Sequence, residues 1–193
     1  MGEARQDDRR QKRAPRPLDA ARLDELALHY AARYATTAAK LQRYLQRKLK
    51  ERGWTGDAPP DVPGIAARLA ALGYVNDRLF AESRTRDMTA RGLGRRRVAG
   101  ALAMAGVDAD TSAESLDQAG AVALATAVAF ARRKRLGPFA REATATDPAS
   151  RQKAAQKAMA AMLRAGHGLD VARRVLAAPD PAAAEALVDD ISE

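Results

Sequence analysis

Residues 72–107 read LGYVNDRLFAESRTRDMTARGLGRRRVAGALAMAGV, and this stretch decides the fold class. From Asp77 to Ala90 the apolar residues Leu79, Phe80, Ala81, Met88 and Ala90 recur at the three- to four-residue spacing that lines one side of an α-helix. Gly92 and Gly94 close that pattern, because glycine accepts the left-handed backbone at which helices stop. A second helix opens at Arg95 and runs through Val98, Leu102 and Met104 to a stop at Gly106. Arg84 and Arg91 fall near one line along the first helix, and Arg84, Arg86, Arg91, Arg95, Arg96 and Arg97 crowd around one Gly-Leu-Gly turn. The layout suits a surface that grips polyanions or acidic protein faces. Three arginines in a first turn oppose the helix macrodipole, which favours anions there, and a bound phosphate or carboxylate would relieve the conflict.

The same grammar extends in both directions. An apolar residue, three residues, a second apolar residue, three residues and a glycine occur as Leu45, Leu49, Gly53, as Val98, Leu102, Gly106 and as Ala158, Met162, Gly166. Three matches in order indicate a duplicated helical unit. Leu23, Leu26, Ala27, Tyr30, Ala31 and Tyr34 form an amphipathic helix in the first unit, followed by Leu41 to Leu49 and by Ile65, Leu69 and Leu72. The third unit offers Val122 to Ala131, Arg151 to Leu163 and Val171 to Leu176. The closing helix of the second unit is poor, with a short candidate at Ala113 to Leu116. Asp147 with Pro148 and Asp180 with Pro181 read as helix starts, and residues 53–64 and 137–147 as loops. No window alternates with period two, so no sheet is predicted. The expected divisions are a basic, disordered tail at 1–17, units at 18–75, 76–118 and 119–178, and an acidic helix or tail at 179–193.

The 193 residues carry a net charge of +9, unevenly spread: +3 on residues 1–17 and −5 on residues 179–193, which leaves +11 on the body between. Such a body attracts nucleic acid or an acidic partner with steep salt dependence. Aromatic residues are only 4% of the chain and alanine supplies much of the apolar count, which favours thin helical packing over a thick core. The absence of cysteine removes disulfides and thiol chemistry and suits a reducing cytoplasm. With neither a signal peptide nor a membrane-spanning run, the chain reads as a soluble monomer without a membrane.

Catalytic and cofactor readings fare poorly. His29 and His167 lack carboxylates at metal-ligand spacing and read as exposed or helix-packed. Asp108 and Asp110 read as turn and cap residues. Gly92-Leu93-Gly94 has Arg97 where a dinucleotide fingerprint needs its third glycine, and no Walker-type loop is present, so no cofactor is expected. Tyr30, Tyr34 and Tyr44 could stack bases, but Tyr30 and Tyr34 have core spacing. Trp54 reads equally as an exposed anchor or as the seal of a helix stop. Lys40, Arg43, Arg47 and Lys50 form one basic stripe, expected to share a concave face with the Arg84 to Arg97 group.

The stretch LGYVNDRLFAESRTRDMTARGLGRRRVAGALAMAG resembles the central pattern of the RecX family, regulators of the RecA recombinase. LDELALHYAARYATTAAKLQRYLQRKLKERG and RQKAAQKAMAAMLRAGHGLDVARRVL are similar to its first and last repeats. The chain departs from the family at Ala165-Gly166-His167, where relatives commonly carry Arg-Gly-Phe, and at Leu79, where arginine or glutamate is usual. The resemblance implies an all-α crescent of three tandem three-helix repeats. It implies a non-enzymatic protein that binds the groove of the RecA filament on single-stranded DNA, suppresses strand exchange, ATP hydrolysis and repressor cleavage, and so regulates DNA repair and recombination. Binding to DNA alone would be weak and non-selective. The competing reading is a stand-alone helix-turn-helix-like regulator that places Arg84 to Gly106 in a major groove.

Overall fold

A computed structural model describes residues 16–140 and 147–189. The tail expected at residues 1–17 lies almost entirely outside the described residues, as does the end of the chain after Asp189. The described residues form helices joined by short turns, with one isolated bridge between Leu18 and Trp54 in place of any sheet. Unit 1 holds α1 (Ala20–Arg33), α2 (Ala38–Arg52) and α3 (Val62–Ala71). Unit 2 holds α4 (Asp77–Ala90), α5 (Arg95–Ala105) and α6 (Ala109–Ala121). Unit 3 holds α7 (Ala123–Lys134), α8 (Pro148–Arg164) and α9 (Leu169–Ala177), and α10 (Pro181–Asp189) follows.

Local chemistry sets these bounds. Asp19, Thr37, Asp61, Asn76, Asp108, Asp147 and Asp180 each accept a hydrogen bond from the backbone N–H three residues on, which satisfies a donor the helix leaves open. Each unit then closes over its own small core. Leu23, Leu41, Leu45, Ile65 and Leu69 meet in unit 1, Met88, Val98 and Leu102 in unit 2, and Leu124, Phe130, Met162 and Val175 in unit 3. Trp54 belongs to the first of these: its indole N–H donates to Ala58 O at 2.8 Å while Leu18 N–H donates to Gly53 O at 3.0 Å, so it seals the stop of α2.

Four expectations need correction. The closing helix of unit 2 is not a short piece at Ala113 to Leu116 but the 13-residue α6. Its buried face is Ser112, Ser115 and Ala119, so close packing on α4 needs small residues and leaves no apolar period to read. Met104, taken as part of the apolar line of α5, is 83% exposed, and Leu79 is 59% exposed. Tyr34 is 51% exposed at the end of α1, whereas Tyr30 does pack against the unit 1 core.

The fourth correction concerns the arginine-rich start of α5, whose cap residue Gly94 makes no side-chain hydrogen bond. The end of α8 takes that place. Gly94 N–H donates to Ala165 O at 2.9 Å and Arg96 N–H to Gly166 O at 3.1 Å. The carbonyl end of one helix dipole thus abuts the amide end of the next, so backbone carbonyls rather than a side-chain cap satisfy the open donors at the start of α5. The backbones approach so closely that a Cβ on Gly94 would collide with the Gly166 carbonyl, and one on Gly166 with the Arg97 backbone. Gly166 also sits at φ 93°, a backbone that L side chains rarely adopt. Leu93 packs against the cores of both units 2 and 3.

The joint between units 1 and 2 repeats this plan. Thr37 Oγ1 donates to Ala105 O at 2.6 Å, Ala38 N–H donates to Asp77 Oδ1 at 2.9 Å, and a Cβ on Gly106 would collide with Ala39. The second helices of the three units therefore run end to end in reverse chain order, α8 into α5 into α2. Hydrogen-bonded joints of this kind link the units, and Leu93 adds an apolar contact shared by the cores of units 2 and 3.

Candidate polyanion-binding groove

Between α2, α4 and α5 lies an open groove of about 460 Å³. Lys40 enters it from α2, Phe80, Ser83, Arg84 and Asp87 from α4, and Ala101 and Met104 from α5. The Lys40 ammonium stands 4.8 Å from the centroid of the Phe80 ring, a cation–π contact that holds it over the opening. A second hollow of about 600 Å³ shares Ala35 and Lys40 with the first and continues along α2 past Tyr44, Arg47 and Lys48. There Tyr30 and Tyr44 stack at 4.1 Å with 15° between their planes. The groove is thus cationic along its length with aromatic and aliphatic surface between the charges.

Helical register sorts the candidate arginines. Arg84 lines the groove, and Arg91, two turns on and only about 20° away around the axis, caps α4 on the same side. Arg97 precedes Ala101 and Met104 by one and two turns on α5, which places it on their face. Arg86 and Arg96 are exposed on the outer sides of their helices, about 160° from Arg84 and about 80–140° from the groove face of α5. Arg95 turns the other way, donating from Nε to Leu116 O at 3.0 Å and lying 3.7 Å from Asp117. Arg84 lines the groove, and helical register puts Arg91 and Arg97 on the groove side of their helices, whereas Arg86, Arg95 and Arg96 face elsewhere.

The α2 stripe is also divided in its roles. Arg43 reaches back from Nη2 to Met104 O at 3.0 Å and Ala105 O at 3.3 Å, so it clasps the joint between units 1 and 2. Arg47 lies 3.5 Å from Glu51 and within 5.6 Å of the Tyr44 ring. Lys48, outside the expected stripe, holds Glu51 at 2.6 Å and keeps its carboxyl below the usual range, with Arg47 adding to the effect. Lys50 is exposed near the far end of the helix. Sequence reasoning left Lys48 out of the stripe and read Met104 as core, whereas both line the groove and its continuation.

His167 belongs to the unit 2 to unit 3 joint. It is 2% exposed, donates from Nε2 to Gly92 O at 3.2 Å and packs its ring 5.5 Å from that of Phe130. Nδ1 is buried without a partner, so burial pushes the imidazole pKa down, while the Gly92 carbonyl opposes this more weakly.

Residues 76–116, which span α4, α5 and most of α6, match the family described as RecX, second three-helix domain. A regulatory protein RecX from Myxococcus xanthus (strain DK1622) is 33% identical over 169 residues, covering 84% of this chain and 88% of the relative. The chain belongs to the RecX family. RecX from Lactobacillus salivarius has a crystal structure with a TM-score of 0.57 at 18% identity, over 83% of this chain and 96% of that one, which shows the shared helical-repeat fold. The RecX match falls on the unit that supplies Arg84, Arg91 and Arg97. In this RecX chain His167 stands where relatives were expected to have phenylalanine, and it keeps an aromatic ring buried at the joint. Among the described residues, no helix is long and apolar enough to cross a membrane.

Proposed function

We propose that the chain regulates the RecA recombinase, lying with the groove of units 1 and 2 against the RecA filament on single-stranded DNA. In that position it suppresses strand exchange, ATP hydrolysis and repressor cleavage, acting in the cytoplasm as a monomer and performing no chemistry of its own. The observation that carries this reading is the convergence of Lys40 from α2 and Arg84 from α4 on one groove. Asp87 is the acid among the lining residues, so the field over the opening is positive. Membership of the RecX family of regulatory proteins supports the choice of partner. Binding to DNA alone is weak and falls steeply with salt.

The stand-alone helix-turn-helix reading fits less well. A recognition helix reads bases with its N-terminal residues, yet the start of α5 is joined to Ala165 and Gly166. The test is titration of the full chain into RecA on single-stranded DNA, following ATP hydrolysis and strand exchange. Inhibition near stoichiometry is expected; unchanged rates at that level contradict the proposal.

A further inference from the structure

Unit 3 carries a larger hollow that shares no lining residue with the groove, about 900 Å³ between the end of α7, one side of α8, and α9. Its floor is apolar and built of Leu136, Ala158, Ala161 and Leu176. Alanines on the α8 face leave space that larger side chains would fill. Around this floor stand Lys134, Arg135, Lys157, Arg164 and Arg173, with no carboxylate lining it among the described residues. All five are exposed, and none forms an ion pair among the described residues. Arg135 caps α7 with φ 54°, a backbone that ordinarily selects glycine, so a guanidinium is kept at the rim against local preference. Beside the hollow, residues 151–157 of α8 are exposed on every side, a stretch of helix without a partner among the described residues.

We propose that this hollow is a docking site for an acidic amphipathic helix of a protein partner. Aliphatic residues on one face of that helix enter the apolar floor, and carboxylates flanking them meet the five cations of the rim. Charge complementarity selects the occupant. Single-stranded nucleic acid is held by stacking surfaces, and no aromatic side chain lines the hollow among the described residues. A membrane surface is disfavoured because the apolar floor lies recessed beneath the charges.

The probe is a fluorescein-labelled synthetic helix with leucines at i, i+4 and i+7 and glutamates on both flanks, titrated into the full chain and read by anisotropy. Saturable binding is expected, weakened about tenfold or more by serine in place of the leucines and by the double variant K157E/R173E. Ala161→Trp, which fills the floor without changing charge, should weaken it similarly at unchanged helicity. The proposal is overturned if the serine peptide binds as tightly as the leucine peptide, if either variant binds as the parent does, or if oligo-dT displaces the peptide.

Discussion

Replacing Gly166 with alanine probes the joint on which the array depends. Two costs can be worked from the structure. At φ 93° an L side chain is strained, and left-handed backbone costs about 1–2 kcal/mol. The added Cβ also collides with the Arg97 backbone and lies 2.9 Å from Gly94 O, groups that cannot rotate away as a side chain would. Making room opens the joint and forfeits the Gly94-to-Ala165 and Arg96-to-Gly166 hydrogen bonds, about 1 kcal/mol each. The total is about 3–4 kcal/mol. In urea unfolding followed by circular dichroism, a slope of about 2 kcal/mol per molar converts this to a midpoint lowered by about 1.5–2 M. Gly73→Ala is the internal control, since Gly73 has φ 79° but open space where the Cβ would sit. It should lose only the strain of about 1–2 kcal/mol. Equal losses for the two variants would refute the closed joint, because only Gly166 meets another backbone.

Three further outcomes follow from the same contacts. His167 has a folded-state pKa below its unfolded value, so its contribution is fully present above about pH 6.5 and is lost as pH falls toward the lowered folded value; urea midpoints at neutral and mildly acidic pH should diverge, and His167→Phe should flatten that dependence. Thr37→Val removes both the cap on Lys40 N–H and the bond to Ala105 O, and should cost about 1–2 kcal/mol by the same urea assay. Gly100→Ala places a methyl in open space within α5 and should stabilise the chain by about 0.5–1 kcal/mol, seen as a raised thermal midpoint.

The parts of the fold written in apolar spacing and helix stops were legible before the structure. Leu45, Leu49 and Gly53 and their two counterparts do mark the ends of α2, α5 and α8, and Asp147 and Asp180 do cap helices. Helix α6 was not legible because a face of serines and alanine packs by closeness rather than by hydrophobic period. The joints between units were hidden for a different reason. They are made by backbone meeting backbone at Gly94 and Gly166 and by side chains closing on Gly106, and a sequence reports a glycine as a stop without showing what presses against it. The arginines of the candidate groove were visible as a cluster, yet cluster and face are different things. Arg95 and Arg97 are two residues apart and point to opposite sides of α5, one toward Asp117 and one along the groove line of Ala101 and Met104.

That separation permits the most direct test of the proposed function. Two charge-matched variants, R84E/R97E on the groove and R86E/R96E on the outer surfaces, are compared with the parent for inhibition of RecA ATP hydrolysis on single-stranded DNA. Helicity is checked for each. The account expects the groove variant to lose inhibition by about tenfold or more in the concentration required, with the outer variant close to the parent. Equal loss in both variants, or retained inhibition by a folded R84E/R97E chain, would contradict the assignment of this groove as the RecA-facing surface.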